Sequence, residues 1–295
     1  MTPSGRLPGV VEGDEDDRGP AADDVCPARV TLLLLGHRSV LTWRLPQDLP
    51  HRRSARADLH ADVARSLRSA EALRAEIEQT FGAGRGELSQ VARRRLDMAG
   101  CHGMAMDVLE FCCDAYQQTD GLFDAFDTID LSADGAGRRH LDPGLLGLAW
   151  AVDRVVAKVH DDTGLGLVLR AGPVVGVRAP AGSTPFTIEL PGTGRRRRTA
   201  TPEDLVPVQV DLLDGGAVVR PGLGNDQGTS VTVAGPDLRW SAVYAGVLAE
   251  QGRAGLRVLR PVPGLHATVR TASGALLTLD RGEVTTQDAP PVLTL

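Results

Sequence analysis

Aromatic side chains are scarce in this chain of 295 residues, in which Phe, Trp and Tyr together make up 3%. The core must therefore be built mainly from Leu, Val and Ala. The scarcity also argues against a base-stacking platform for single-stranded nucleic acid, which depends on aromatic rings. A net charge of -6 argues against a duplex-binding surface, which needs a net basic face. We therefore predict no nucleic-acid partner.

Cysteines and long apolar runs are also rare. The four cysteines are Cys26, Cys101, Cys112 and Cys113. They lack a CxxC spacing, so we predict buried free thiols and neither a zinc site nor a disulfide framework. The longest aliphatic run, at 32–35, is far too short to span a bilayer, and residues 1–28 contain no apolar stretch of the kind found in secretion signals. We expect no membrane span and a cytoplasmic location.

The ends of the chain differ in composition from its middle. Residues 1–28 are rich in Gly, Pro and acidic side chains and poor in apolar ones, so burial cannot offset their chain entropy. This composition predicts a disordered acidic tail over 1–28. The length of the remaining chain permits one large domain or two small ones, and residues 285–295 are expected to form a short C-terminal tail.

Hydrophobic periodicity predicts a mixture of helices and strands. Two β-rich runs at 30–35 and 40–45 flank a turn-like centre and indicate a hairpin. Helical spacing of apolar residues predicts helices over 58–81, 104–118, 145–159 and 238–250, the last capped by Asp237. Short runs punctuated by Gly, Pro and Asp predict strands at 165–169, 174–177, 186–190, 206–212, 217–219, 230–233, 258–259, 267–269 and 276–279. Helices that interrupt such strands without alternating with them indicate an α+β fold with mainly antiparallel sheets.

Three short motifs occur in the middle of the chain. They are Gly-Glu-Leu-Ser at 86–89, Thr-Asp-Gly-Leu-Phe-Asp at 119–124, and Leu-Asp-Pro-Gly at 141–144, which leads into Ala-Trp-Ala-Val-Asp-Arg at 149–154. In this order they resemble motifs of the ApbE-type FAD:protein FMN transferases. The resemblance implies an ApbE-like domain over 29–284. An active member of that family splits FAD with the help of magnesium and attaches FMN to a Ser or Thr of a partner flavoprotein.

The resemblance implies six flavin-contacting residues, which are Phe81, Glu87, Leu122, Phe123, Asp124 and Asp142. At 119–124 a glycine allows a tight turn, a phenyl ring supplies an apolar wall, and a carboxylate supplies an acceptor for flavin donors. The alternative for this segment is a helix C-cap followed by a hydrophobic anchor. The alternative for the first pair is that Phe81 completes an apolar stripe and that Glu87 is a surface charge.

The reactive residues of the family are missing. Leu148 stands where the resemblance places a lysine, and leucine cannot neutralise pyrophosphate charge. Ala242 and Gly246 stand where it places an aspartate and a threonine, one helical turn apart, that bind magnesium. A histidine-bearing segment of the family is absent as well. We therefore predict no catalytic residue and no metal-ligating side chain.

Two hypotheses from different classes follow. The first is a diverged, flavin-binding transferase homologue that takes FAD, with a flavoprotein acceptor as its partner and with weak or lost magnesium-dependent FMN transfer. The alternative is a non-catalytic interaction or scaffold protein that uses the same fold without flavin. An active transferase with relocated metal ligands is a third reading, so the sequence leaves enzymatic activity open.

Overall fold

A tight hairpin begins the part of the chain that the structure describes. This computed structural model describes residues 29–44, 53–82, 85–93, 95–125, 128–130, 138–140, 144–190, 208–221, 230–271 and 275–287. The hairpin consists of β1 (Arg29–Leu34) and β2 (His37–Arg44). Leu35 and Gly36 form its turn with φ of 48° and 80°, the positive values that two-residue hairpin turns favour. The predicted hairpin is confirmed, with a shorter turn than expected.

The predicted helices are confirmed. The longer helices are α1 (Arg53–Phe81), α3 (Gly103–Gln118), α4 (Gly144–Thr163) and α5 (Leu238–Gln251). The shorter ones are α2 (Glu87–Ala92), α6 (Leu256–Leu259) and two 3-10 turns at Met98–Gly100 and Gly252–Gly255. Asp237 caps α5 as predicted, because its Oδ1 accepts from the backbone N–H of Arg239 at 2.9 Å and of Trp240 at 3.3 Å.

Nine of the described strands form one sheet, in which every neighbouring pair is antiparallel. Its order is β1-β2-β5-β6-β9-β10-β11-β12-β13. Its further strands are β5 (Gly166–Ala171), β6 (Val174–Arg178), β9 (Asp214–Pro221), β10 (Ser230–Gly235), β11 (His266–Arg270), β12 (Leu276–Asp280) and β13 (Glu283–Gln287). Two separate pairs are β3 (Thr128–Asp130) with β4 (Arg138–His140), and β7 (Phe186–Leu190) with β8 (Val208–Leu212). The predicted α+β class with mainly antiparallel sheets is confirmed.

The sheet is covered on both faces, and successive side chains along its strands point to opposite faces. Val174 and Val218 face each other across β6 and β9 and belong to the main core, where α4 and α5 pack on the sheet and α1 packs on α4. Their neighbours Val175 and Val219 point to the opposite face, into a smaller core with Phe186 and other residues of β7 and β8. Helices α4 and α5 therefore pack on one face of the sheet, and β7 and β8 pack on the other.

Some sequence predictions fail or fall outside the described residues. The strand predicted at 258–259 is wrong, because these residues end α6, where Leu256 and Leu259 are buried one helical turn apart. Strand β13 crosses the predicted domain boundary after residue 284. Buried thiols are right for Cys112 and wrong for Cys113, which is exposed. The 1–28 tail lies outside the described residues. None of the described helices is long and apolar enough to cross a membrane.

Candidate functional site

The turn that follows α3 is organised by one threonine hydroxyl. Thr119 is only 1% exposed. Its Oγ1 donates to the carbonyl oxygen of Ala115 at 2.7 Å and accepts from the backbone N–H of Phe123 at 3.0 Å. The hydroxyl thus joins the last turn of the helix to the aromatic residue that the resemblance assigns to the flavin wall. The helix-cap alternative and the flavin-wall hypothesis are compatible at this segment.

Two residues with positive φ complete the turn. Asp120 has φ of 50° and Gly121 has φ of 78°, which glycine adopts freely and aspartate tolerates better than most residues. The Gly121 N–H donates to the Tyr116 carbonyl at 2.8 Å, which closes the end of α3. The next residues, 122–124, are all half-buried, so the turn presents them at the edge of the core.

Phe123 lies against α5. A β-carbon added to Gly246 would be 3.7 Å from Phe123 Cδ2 and 3.2 Å from Arg220 Nη1. The motif at 119–124 is therefore adjacent in space to the position where the resemblance places a metal-binding threonine. Phe123 also packs on the main core. The structure thus brings one predicted flavin residue directly beside the position of the missing metal threonine.

Sequence reasoning missed Arg220 as a member of this site. Arg220 lies near the end of β9 and is paired with Val231 of β10. Cross-strand partners share a face of the sheet, and Val231 belongs to the main core on the helical side. Arg220 is therefore directed toward α5, where the absence of a side chain at Gly246 leaves room for its guanidinium. The alternation of Val218 and Arg220 along the strand is a signal in the sequence that could have indicated this face.

Glu87 has a well-defined position at a helix junction. It is only 8% exposed, so the alternative that it is a surface charge is wrong. Its Oε1 accepts from Gln79 Nε2 at 2.9 Å, and its Oε2 accepts from the His102 backbone N–H at 2.7 Å. The carboxylate thereby ties α1, α2 and the start of α3 together. Phe81 is half-buried on the main core at the end of α1.

The positions where the resemblance places a lysine and two magnesium ligands carry no charged side chain in this chain. Leu148 is 4% exposed and Ala242 is 2% exposed, and both belong to the main core. Among the described residues, no group of three His, Cys, Asp or Glu side chains could hold a metal ion. Asp142 lies outside the described residues. The side chains present at the expected magnesium position therefore do not fit a magnesium ion.

Four of the chain's ten aromatic residues form a cluster between α3, α4 and α5, and they are Phe111, Trp150, Trp240 and Tyr244. The Arg239 guanidinium lies 5.2 Å from the ring centroids of both Phe111 and Trp150, and it pairs with Asp237 at 2.6 Å. The half-buried Asp153 carboxyl lies near the same guanidinium. Burial raises its pKa, although the positive charge of Arg239 opposes the shift.

A cleft of about 600 Å³ lies elsewhere, between α6 and β13. It is lined by Arg253, Ala254, Leu256, Arg257, Arg260, Val284 and Thr286. It contains none of the predicted flavin residues. Its arginines therefore provide charge-matched controls for experiments on Arg220.

Comparison with solved structures identifies the fold. The flavin transferase ApbE from Vibrio cholerae superposes with a TM-score of 0.56 at 11% identity, covering 88% of this chain and 96% of that chain. The flavinyl transferase ApbE of Pseudomonas stutzeri, in its apo form, gives 0.58 at 15% identity, covering 88% and 93%. The ApbE protein of Thermotoga maritima gives 0.57 at 12% identity, covering 85% and 96%. No protein-family model and no curated protein matches the sequence. The fold of this chain is the fold of the ApbE flavin transferases.

Proposed function

We propose that this protein is a flavin-binding homologue of the FAD:protein FMN transferases with weak or lost magnesium-dependent transfer. The observation that carries the proposal is the position of Phe123, held by the Thr119 hydroxyl and packed beside Gly246 of α5. A phenyl ring in this half-buried position suits the isoalloxazine ring system of a flavin. When bound, FAD would supply the FMN group that an active transferase passes to its acceptor.

Asp124 is the second residue of the proposed flavin site. It follows Phe123 directly and is half-buried. Burial raises the pKa of the Cys112 thiol, and the charges of Cys113 and Asp124 add to the shift. A carboxylate accepts hydrogen bonds only, so it suits the N–H groups of a flavin ring or the hydroxyl groups of the ribityl chain. We propose that Leu122, Phe123 and Asp124 form one side of the site, with Phe81, Glu87 and Asp142 as further members.

The proposed loss of transfer rests on charge. Phosphoryl-transfer chemistry depends on cations that offset the charge of the phosphate oxygens. Leu148, Ala242 and Gly246 supply none, and burial of Leu148 in the main core leaves that position unsuited to an ammonium group. We accordingly propose that FAD binds without magnesium. If transfer persists, its acceptor is a flavoprotein, and we propose a cytoplasmic location for both.

One observation favours the scaffold alternative. Both oxygens of the Glu87 carboxylate already accept hydrogen bonds from α1 and from the start of α3. This carboxylate therefore has a structural function that requires no flavin. Under this alternative the fold is retained as a surface for a partner, and the purified protein is colourless and does not bind FAD.

Titration of the purified protein with FAD at neutral pH, with magnesium and then with EDTA, tests the proposal. We expect binding at micromolar protein in both conditions with similar affinity. Asp124→Ala removes an acceptor and should weaken binding roughly ten- to a hundredfold, since a hydrogen bond to a charged group contributes about 1.5–3 kcal/mol. Asp114→Ala, at an exposed position of α3, is the matched control and should bind like the parent.

The same titration distinguishes the alternatives. Absence of FAD binding, or equal affinity of Asp124→Ala and the parent, would favour the scaffold hypothesis. A strong dependence on magnesium would instead support the third reading, in which other side chains have taken over the metal.

A further inference from the structure

Arg220 differs from the other half-buried arginines of the described chain, because it has no hydrogen-bonding or ion-pair partner there. Two of the others pair with carboxylates, Arg178 with Asp214 at 2.6 Å and Arg239 with Asp237 at 2.6 Å. The rest also have partners, and they are Arg44, Arg74, Arg170 and Arg270. A guanidinium that is partly withdrawn from water without a partner is costly, so its retention calls for an explanation.

The surroundings of Arg220 indicate an anion as the missing partner. Its strand directs it to the helical side of the sheet, and its Nη1 lies 3.2 Å from the position that a β-carbon would take at Gly246. Ala242, one helical turn earlier on α5, also has no charged group. The guanidinium is thus next to a helix face of small residues, with the Phe123 ring on the same side. A planar donor group in such a position suits the oxygens of a phosphate, which it can bind with two parallel hydrogen bonds.

We propose that Arg220 is the resident cation of the flavin site and that its guanidinium binds the pyrophosphate of FAD in place of a divalent metal ion. This inference rests on the function proposed above and deepens it. Gly246 has a defined part in the arrangement. With a threonine at this position, the added β-carbon would be at the 3.2 Å distance and the rest of the side chain would compete for the space that the guanidinium occupies. The absence of the threonine and the proposed role of Arg220 are therefore connected, because Gly246 leaves the space that the guanidinium occupies.

The proposal makes the contribution of Arg220 specific to phosphate. Arg220→Gln should weaken FAD binding roughly ten- to a hundredfold, the range expected for a lost charged hydrogen bond. Riboflavin, which has the same ring system and no phosphate, should bind the parent and Arg220→Gln equally. Arg220→Lys should restore part of the affinity for FAD, because it keeps the charge without the planar pair of donors. Gly246→Thr should weaken FAD binding without removing any charge.

The experiment is a set of calorimetric titrations in EDTA with FAD, riboflavin and inorganic pyrophosphate. The matched control is Arg257→Gln, which removes the same charge from the cleft at α6. Far-UV circular dichroism and the thermal midpoint of each variant show that it is folded. The expected result is loss of FAD and pyrophosphate affinity in Arg220→Gln, with riboflavin affinity unchanged and Arg257→Gln equal to the parent.

Other results would separate this inference from the proposed function. If the parent binds FAD and Arg220→Gln binds it equally, Arg220 is not the cation, while the flavin proposal stands. If the parent binds pyrophosphate through Arg220 but binds no flavin, the phosphate site stands and the flavin proposal fails. If the parent binds neither FAD nor pyrophosphate, or if Arg257→Gln has the same effect as Arg220→Gln, the inference is overturned.

Discussion

Replacing Thr119 with valine should uncouple the proposed flavin wall from α3. Valine has nearly the shape of threonine but lacks the hydroxyl group. The substitution removes the bond that Oγ1 donates to Ala115 at 2.7 Å and the bond that it accepts from the Phe123 N–H at 3.0 Å. Ala115 keeps the backbone N–H of Thr119 as a donor at 3.1 Å, whereas the Phe123 N–H is left without an acceptor in a half-buried position.

The expected cost follows from these two losses. A half-buried donor left unpaired costs about 1–3 kcal/mol, and a lost hydrogen bond whose acceptor keeps another donor costs about 0.5–1.5 kcal/mol. Thr119→Val should therefore lower the free energy of unfolding by about 1.5–4.5 kcal/mol. Thr119→Ser keeps the hydroxyl and loses one buried methyl group, at a cost of about 1 kcal/mol. The stability order is parent, then Thr119→Ser, then Thr119→Val.

Urea unfolding followed by far-UV circular dichroism measures this order, and FAD titration of the same variants measures its functional consequence. Thr119→Val should bind FAD more weakly than Thr119→Ser, because only the serine variant holds the Phe123 backbone in place. A valine variant as stable as the serine variant would refute the reasoning. Equal FAD affinity in the two variants would show that the hydroxyl does not position the ring.

Three further predictions concern groups whose pKa is shifted. Burial raises the pKa of the Cys112 thiol to about 12. At neutral pH a thiol reagent should therefore modify Cys113→Ser, which keeps the buried Cys112, much less than Cys112→Ser, which keeps the exposed Cys113. Equal modification of the two variants would contradict this. Burial alone would raise the pKa of Asp237, but its hydrogen bond and ion pair with Arg239 lower it below the ordinary 3.8. Its carboxylate therefore stabilises the fold above that pH, and the deficit of Asp237→Asn in urea midpoint should shrink as the pH falls below 3.8. Burial raises the pKa of Asp153 despite the opposing charge of Arg239, so its ionised form is the less stable one in the folded protein. Asp153→Asn should gain stability relative to the parent as the pH rises through that pKa, and a constant difference between pH 3 and pH 7 would count against the shift.

The sequence predicted those elements of the fold whose local signals agree. The hairpin around Gly36 and helix α5 with its Asp237 cap both combine a periodic apolar pattern with a residue that fixes one end. The strand predicted at 258–259 was wrong because two adjacent apolar residues are compatible with both a strand and the last turn of a helix. Strand β13 was not predicted because Val284 is the single apolar residue within Glu283–Gln287. The strand is formed through its antiparallel pairing with β12, which the local sequence pattern does not indicate.

The candidate site was predictable only in part. The turn at 119–124 follows from a glycine after a helix, so its geometry could be expected from the sequence. The alternation of Val218 and Arg220 could indicate the face on which Arg220 lies, but its position beside Gly246 could not be predicted, because it depends on the register between β9 and β10 and on the way α5 crosses the sheet. Both are set by long-range packing, which a single sequence does not encode in any local pattern. The structural use of Glu87 likewise depends on Gln79 and His102, which approach it from two other helices.

The aromatic cluster between α3, α4 and α5 has a consequence for optical experiments. Trp240 stacks on Tyr244 with ring centroids 5.5 Å apart, and Phe111 contacts both Trp150 and Trp240 at 5.9 and 5.0 Å. Two of the chain's three tryptophans, Trp150 and Trp240, therefore lie where α3, α4 and α5 meet. Intrinsic fluorescence will sense separation of these helices, whereas fraying of the sheet at β12 and β13, which contain no tryptophan, will be spectroscopically silent.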